Sequence, residues 1–336
     1  MFKNLILFRI QPGWSTSPEQ LAAALDAGRF LPCGATQPQS LGWVAPRGGH
    51  GALLEVIGGQ WLLQLQVEQR LLPGAVVKRR ADELAQAIEQ STGRKPGRKE
   101  GKALREQAML ELLPRAFTRQ SALRVWIDPE ARLLALDTGS STRAEEVVTL
   151  LVKALDGLAL NLINTAESPA AVMSAWLVDG EPPAAFTVDR ECELKSADEQ
   201  KSAVRYARHP LDIEEVRQHI QQGKRPTRLA LTWNGRVSFV LTDTLQLKRI
   251  EFLDLVFEGQ DNGDSQDADA RFDTDAAIAT GEFSALIPAL IEALGGEQAF
   301  GQIGTDSATN SAAAPTALPT SAGTTAPGPA DDLPPW

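Results

Sequence analysis

"RLALTWNGRVSFVLT" (228–242) consists of two runs of alternating apolar and polar residues that meet at Asn234-Gly235. Asn-Gly supplies the two left-handed positions of a tight hairpin turn, so the runs are expected to pair antiparallel. The same logic makes "LRVWID" (123–128) and "RLLALDT" (132–138) a second β-hairpin. "NLILFRI" (4–10) and "QWLLQLQVEQ" (60–69) read as strands, with further strands near 186–194 and 203–208.

Helices interrupt these strands without a regular strand-helix-strand rhythm. "SPEQLAAALDAG" (17–28) starts at Ser17-Pro18 and stops at Gly28, and "SPAAVMSAWLVDG" (168–180) repeats the device. Thr142 and Glu145 have capping-box spacing at the head of a helix running to Leu155. Further helices are expected at 211–222 and at about 274–294, where "GG" ends the pattern. The fold class is therefore α+β, with antiparallel or mixed sheets.

Between Pro73 and Leu113 the apolar period changes. Val77, Ala81, Leu84 and Ile88 form one stripe, and after "STGRKPG" Leu104, Ala108 and Leu112 form another. Two such stripes fit a projecting antiparallel helical hairpin with arms of roughly 20 Å. Four regions follow: a central α+β domain (1–75 and 118–170), the hairpin tip (76–117), a second α+β base region (171–300) and a disordered tail (301–336). The tail is Ala, Thr, Ser, Gly and Pro, with little to bury.

Charge is segregated along the chain. The formal net charge is −10, yet residues 70–124 carry thirteen Lys/Arg against six Asp/Glu. Residues 251–275 hold nine acids against Arg271. The basic side chains of the hairpin are Lys78, Arg79, Arg80, Arg94, Lys95, Arg98, Lys99, Lys102 and Arg105. A second set is Arg205, Arg208, Lys224 and Arg225, with Arg228 nearby. Cations on rigid elements suit contact with phosphates along a backbone rather than base reading. Tyr206 is the one aromatic in these stretches, which favours double-stranded over single-stranded nucleic acid.

Several motifs suggest chemistry that their spacing does not support. "LDTGSS" (136–141) matches the loop of an aspartic protease, but a dyad needs a second carboxylate, which here would come from a dimer partner of Asp137. "GRKEGKA" (97–103) has three residues between its glycines and no hydroxyl after the lysine, so it is not a nucleotide-binding P-loop. "RGGHG" (47–51) reads as a turn. His50, His209 and His219, with Cys33 and Cys192, lack metal-ligand spacing, so neither metal nor cofactor is expected and the thiols read as reduced. No run of about 18 apolar residues and no secretory leader is evident, which predicts a cytoplasmic protein without a membrane partner.

Blocks along the chain resemble one family. "FKNLILFRI" (2–10), "FLPCGATQPQSLGWVAP" (30–46), "ELLPRAFTR" (111–119), "VWID" (125–128) and "IATGEFSALIPALIEALGGE" (278–297) are similar, in this order, to the recombination-associated protein RdgC family. The resemblance implies a non-enzymatic, ring-forming homodimer whose positive hole encircles duplex DNA without sequence preference. It also implies functional antagonism of RecA and a nucleoid-associated location. Phe117 in "LLPRAF" would then lie at a dimer contact made by the projecting tip, and Arg205 and Arg208 near the second contact. A dimeric aspartic protease and a scaffold gripping acidic proteins stand as alternatives. The last residues, "DDLPPW", resemble the acidic-apolar tip of bacterial single-stranded DNA-binding proteins, which makes Asp331, Asp332 and Trp336 a candidate partner-binding tail.

Overall fold

The computed structural model describes residues 2–49, 51–197, 202–257 and 268–298. Twelve strands form one sheet in which every strand pair is antiparallel. In chain order the strands are β1 (Asn4–Ile10), β2 (Gln39–Val44), β3 (Leu54–Ile57), β4 (Gln60–Arg70), β5 (Thr118–Asp128), β6 (Leu133–Leu136), β7 (Leu160–Leu162), β8 (Phe186–Ser196), β9 (Ala203–Ala207), β10 (Lys224–Trp233), β11 (Val237–Thr242) and β12 (Leu247–Phe252). Their order across the sheet is β2-β4-β5-β6-β1-β12-β11-β10-β8-β9, with β3 beside β4 and β7 beside β1. The expected α+β class is thus observed.

β1 joins the two halves of the sheet. Ile6 to Arg9 pair with β6 along one edge, while Asn4 and Leu5 pair with β12 and Phe8 to Ile10 with β7 on the other. Successive side chains of a strand alternate faces, so both faces of β1 can serve cores. Ile6, Phe8 and Ile10 pack with Leu21, Leu25, Val147 and Leu151. Those four belong to α1 (Pro18–Asp26) and α4 (Ser141–Ala154). Leu5 and Leu7 join the other core with Trp126, Phe283, Leu286 and Leu290. The last three lie on α7 (Ala268–Ala293), a helix apolar and long enough to cross a membrane but with Phe283, Leu286, Ile287 and Leu290 buried in this core. α5 (Pro169–Asp179) and α6 (Glu214–Gln221) contribute Trp176 and Val216 to the same core.

The local signals act as read. Ser17 accepts the Gln20 N–H and Gln20 reaches back to Ser17, completing a capping box, and Ser168 caps Ala171. Asn234 and Gly235 both take positive φ, and Arg236 N–H closes the turn on the Trp233 carbonyl. One start is displaced. The α4 cap is Ser140, whose hydroxyl accepts the Arg143 N–H, so Thr142 and Glu145 sit inside the helix rather than forming the expected box. In a Ser-Ser-Thr run each residue can cap, and the first to follow the strand turn has taken the role.

α2 (Gly74–Thr92) and α3 (Arg98–Leu112) are inserted between β4 and β5. These strands pair continuously from Trp61↔Ile127 to Arg70↔Thr118, so the helices leave from the end of an unbroken ladder. Val77, Leu104, Ala108 and Leu113 are buried, and Ala81, Leu84, Ile88 and Leu112 half-buried, so the two predicted stripes face one another. At the turn, Gly93 adopts the left-handed conformation that ends α2, and the Glu100 carboxylate accepts the Gly97 N–H at 2.8 Å.

Candidate nucleic-acid interface

The hairpin turn and the exposed faces of α2 and α3 gather nine cations against Asp82, Glu83, Glu89, Glu100, Glu106 and Glu111. Their availability differs. Arg80 lies 3.1 Å from Glu83 and 2.9 Å from Glu111 across the helix pair, and Arg94 lies 2.7 Å from Glu100. Arg79–Glu83 and Lys102–Glu106 are looser, each at 3.9 Å with side chains mostly in solvent. Lys78, Lys95, Arg98, Lys99 and Arg105 are exposed and make no ion pair among the described residues. Arg98, Lys102 and Arg105 recur at i, i+4 and i+7, which puts them on one face of α3. Exposed pairs at 3.9 Å hold their cations weakly, so Arg79 and Lys102 can exchange a carboxylate for a phosphate.

The second basic set is organised around an acid. Glu193 of β8 is buried and receives Arg205 at 2.6 Å, Lys195 at 2.7 Å and the Thr227 hydroxyl at 2.9 Å. Lys195 first, and then Arg205 and Thr227, hold its carboxyl down at about 2 despite burial. Lys224 donates to His219 Nδ1 at 3.2 Å. Arg208, Arg225 and Arg228 are exposed, Arg208 with φ +56° just after β9. In the sheet order β6, β1, β12 and β11 separate β5, which carries the hairpin, from β10. At about 4.8 Å per strand those five steps span roughly 24 Å.

Tyr206 is buried, and burial first, with the nearby Glu215 carboxylate second, pushes its phenol up to about 12. It packs between the rings of His209 and His219 and offers no face for a base to stack on. Phe117 is 85% exposed and sits at the root of the hairpin, beside the end of β4, not at the turn near Gly93. His50, residues 258–267 of the acidic stretch, and Asp331, Asp332 and Trp336 lie outside the described residues.

The motifs set aside on spacing have structural roles. The Asp137 carboxylate accepts the backbone N–H groups of Lys3 and Asn4 at 2.9 and 3.0 Å and stands 4.0 Å from Arg124, clipping the start of β1 to the end of β6. Gly48 and Gly49 take positive φ in a turn that Arg47 pins to Glu55 and Asp273. Among the described residues no group of three or more His, Cys, Asp or Glu side chains could hold a metal ion. Cys33 and Cys192 are free thiols, and burial pushes the Cys192 thiol up to about 12.

Reading the sequence missed Arg70. Its guanidinium bonds four main-chain carbonyls at the hairpin root, and a net-charge count gives no hint of this.

Residues 1–297 match the family model described as "Putative exonuclease, RdgC". The chain is 47% identical over 299 residues to the recombination-associated protein RdgC of Dechloromonas aromatica, covering 88% of this chain and 98% of that protein. It is 47% identical over 297 residues to the namesake of Cupriavidus pinatubonensis, covering 88% and 99%. With that of Bordetella pertussis the identity is 43% over 297 residues, again covering 88% and 99%.

Proposed function

The chain belongs to the RdgC family, and on that premise we propose that it is a non-enzymatic protein that binds duplex DNA without sequence preference. One observation carries this reading: Lys78, Lys95, Arg98, Lys99 and Arg105 project on a hairpin with no acidic partner among the described residues. Unpaired cations on a rigid arm release counterions when they meet phosphates, whatever the base sequence.

The separation of the two basic sets supports a homodimer. Two copies closing into a ring would bring the hairpin of each, and the β9–β10 cations of each, around one duplex. The relatives are named for recombination, so the ring's effect would be on RecA-dependent exchange, by limiting access to duplex DNA in the cytoplasm on the nucleoid. Single-stranded DNA would be held less well, since the aromatic of the second set is buried.

The test is topological. Protein loaded at low salt and challenged at moderate salt should stay on circular duplex and slide from linear duplex of the same sequence. Equal loss from both rules out encirclement, and a monomer in light scattering, or no binding to plasmid at low salt, rules out the reading as a whole. The word exonuclease in the family description supports a second reading, hydrolysis of phosphodiesters. Release of acid-soluble nucleotides from linear duplex with Mg²⁺ or Mn²⁺ would replace a purely binding role.

A further inference from the structure

The hairpin meets the sheet through a narrow neck, Leu71–Pro73 on the way out and Ala116–Phe117 on the way back. Above the last rung of the β4–β5 ladder the neck is closed by the Leu71 N–H donating to the Phe117 carbonyl at 2.7 Å. A connection of this kind is a natural hinge, because a few residues can absorb a large change in direction.

Arg70, the last residue of β4, reaches across that neck. One terminal nitrogen (Nη1) donates to the carbonyls of Leu113 at 3.0 Å and Ala116 at 3.2 Å, where the chain leaves α3. The other (Nη2) donates to Gly34 at 3.1 Å and Cys33 at 3.4 Å, in the loop between α1 and β2. Its Nε is buried without a partner, so the side chain's polar satisfaction depends on those four bonds. A planar fork can serve several acceptors at fixed angles, which a lysine cannot do. The loop acceptors are themselves held in place. Gln37 accepts the Gly34 N–H at 2.8 Å, and Cys33 Sγ donates to the Glu68 carbonyl at 3.3 Å.

We propose that Arg70 is a positioning residue for DNA binding: it latches the α2–α3 hairpin at one angle to the sheet, so that the cations of the arm meet the same duplex together. The functional half of this inference rests on the reading of the hairpin as a phosphate-gripping arm. The latch itself does not. Arg70 does not grip phosphate, because its fork is occupied by main-chain carbonyls.

Two measurements on the full-length protein test it, the salt dependence of duplex binding and amide hydrogen exchange. Arg70→Lys keeps the charge and loses the fork. Its slope of log K against log salt should fall by about 4 or more, against about 1.8 for loss of one phosphate contact from each of two copies. Exchange at the Leu71 amide should rise at least about tenfold while amides in the middle of β4 stay unchanged, a local opening of the neck. A wild-type slope and wild-type exchange in Arg70→Lys overturn the proposal. So does a slope reduced by about 1.8 in Arg70→Ala, one contact from each copy, and not in Arg70→Lys, since Arg70 would then be an ordinary phosphate contact. If the wild-type protein binds no duplex, the functional reading fails, while the exchange comparison still accepts or rejects the latch. Should Arg70→Lys not fold, Gln37→Ala loosens the loop that presents two of the acceptors and leaves the arginine in place. A smaller loss of slope with faster Leu71 exchange supports the latch, and no change in either rejects it.

Discussion

Arg80 of α2 and Glu111 of α3 meet at 2.9 Å across the hairpin, 31 residues apart in sequence, and so one of the nine cations is committed to holding the arm together. Glu83 first and Glu111 second raise the Arg80 guanidinium, while Gln107 first and Arg80 second lower the Glu111 carboxyl. Replacing Lys99, which has no such partner, should therefore cut the salt slope of duplex binding by about 1.8, about 0.9 from each copy of the dimer. Arg80→Ala should change that slope less and loosen the hairpin instead, visible as faster exchange along α2. Salt titrations of the two variants side by side, with equal slopes, would contradict this division.

Asp137 is expected to behave as a clip. Asp137→Ala removes the acceptor for the Lys3 and Asn4 amides, and the half-buried Asn4 N–H then lacks its partner. A donor left without its acceptor costs about 1–3 kcal/mol, which denaturant unfolding would register. Incubation with a peptide library should show no cleavage by the parent or the variant. Cleavage abolished by Asp137→Asn would restore the protease alternative.

Glu193 gives the stability a dependence on pH. Its folded carboxyl titrates at about 2, below the ordinary 4.5, so its contribution is fully present above 4.5 and disappears as pH falls toward 2. With its carboxylate buried between Lys195 and Arg205, the effect is on the order of 2–3 kcal/mol. Unfolding measured at pH 6 and pH 3 should show a loss in the parent that is smaller in Glu193→Gln. The same loss in both would mean other carboxylates carry it.

Gly42 lies in the middle of β2 because the neighbouring chain leaves no room for a side chain. A Cβ there would lie 2.3 Å from Phe30 Cα and 2.5 Å from Phe30 N. These are backbone atoms, held by the Phe30 N–H bond to Trp43, so the clash cannot be relieved by a side chain turning away. Gly42→Ala should destabilise by about 1–3 kcal/mol or more and lower the melting temperature by several degrees.

That glycine also shows where the sequence stops being informative. Asn234-Gly235, the Ser-Pro helix starts, the 4-3-4 stripe of α2 and the 4-4 stripe of α3 act within a few residues of themselves, and each is legible. β2, β3, β7 and β12 are not legible in the sequence. β2 carries Gly42 where a strand ordinarily avoids glycine, and its reason, Phe30, comes from an adjacent segment. β12 pairs Asn4↔Lys248, a register set by a strand almost the whole chain away. The same limit applies to the candidate site. Counting charge found the basic hairpin, but Arg80–Glu111, Arg205–Glu193 and the four acceptors of Arg70 arise only once distant segments meet.

Phe117 provides the sharpest test of assembly. An aromatic ring 85% exposed, next to Leu71 at 47%, stands at the root of the arm, where a polar residue would satisfy a lone chain equally well. If a second copy covers it, Phe117→Glu places a charge in that contact and should shift the protein from dimer to monomer in light scattering. Duplex affinity should then drop by about 10² or more, because each chain loses the avidity of two linked cation sets. The slope against salt should fall by about half and not vanish, since Lys95, Arg98, Lys99 and Arg105 of the single chain are untouched. A variant that stays dimeric and binds as the parent does would mean that Phe117 faces solvent in the assembled protein and that the two copies meet elsewhere.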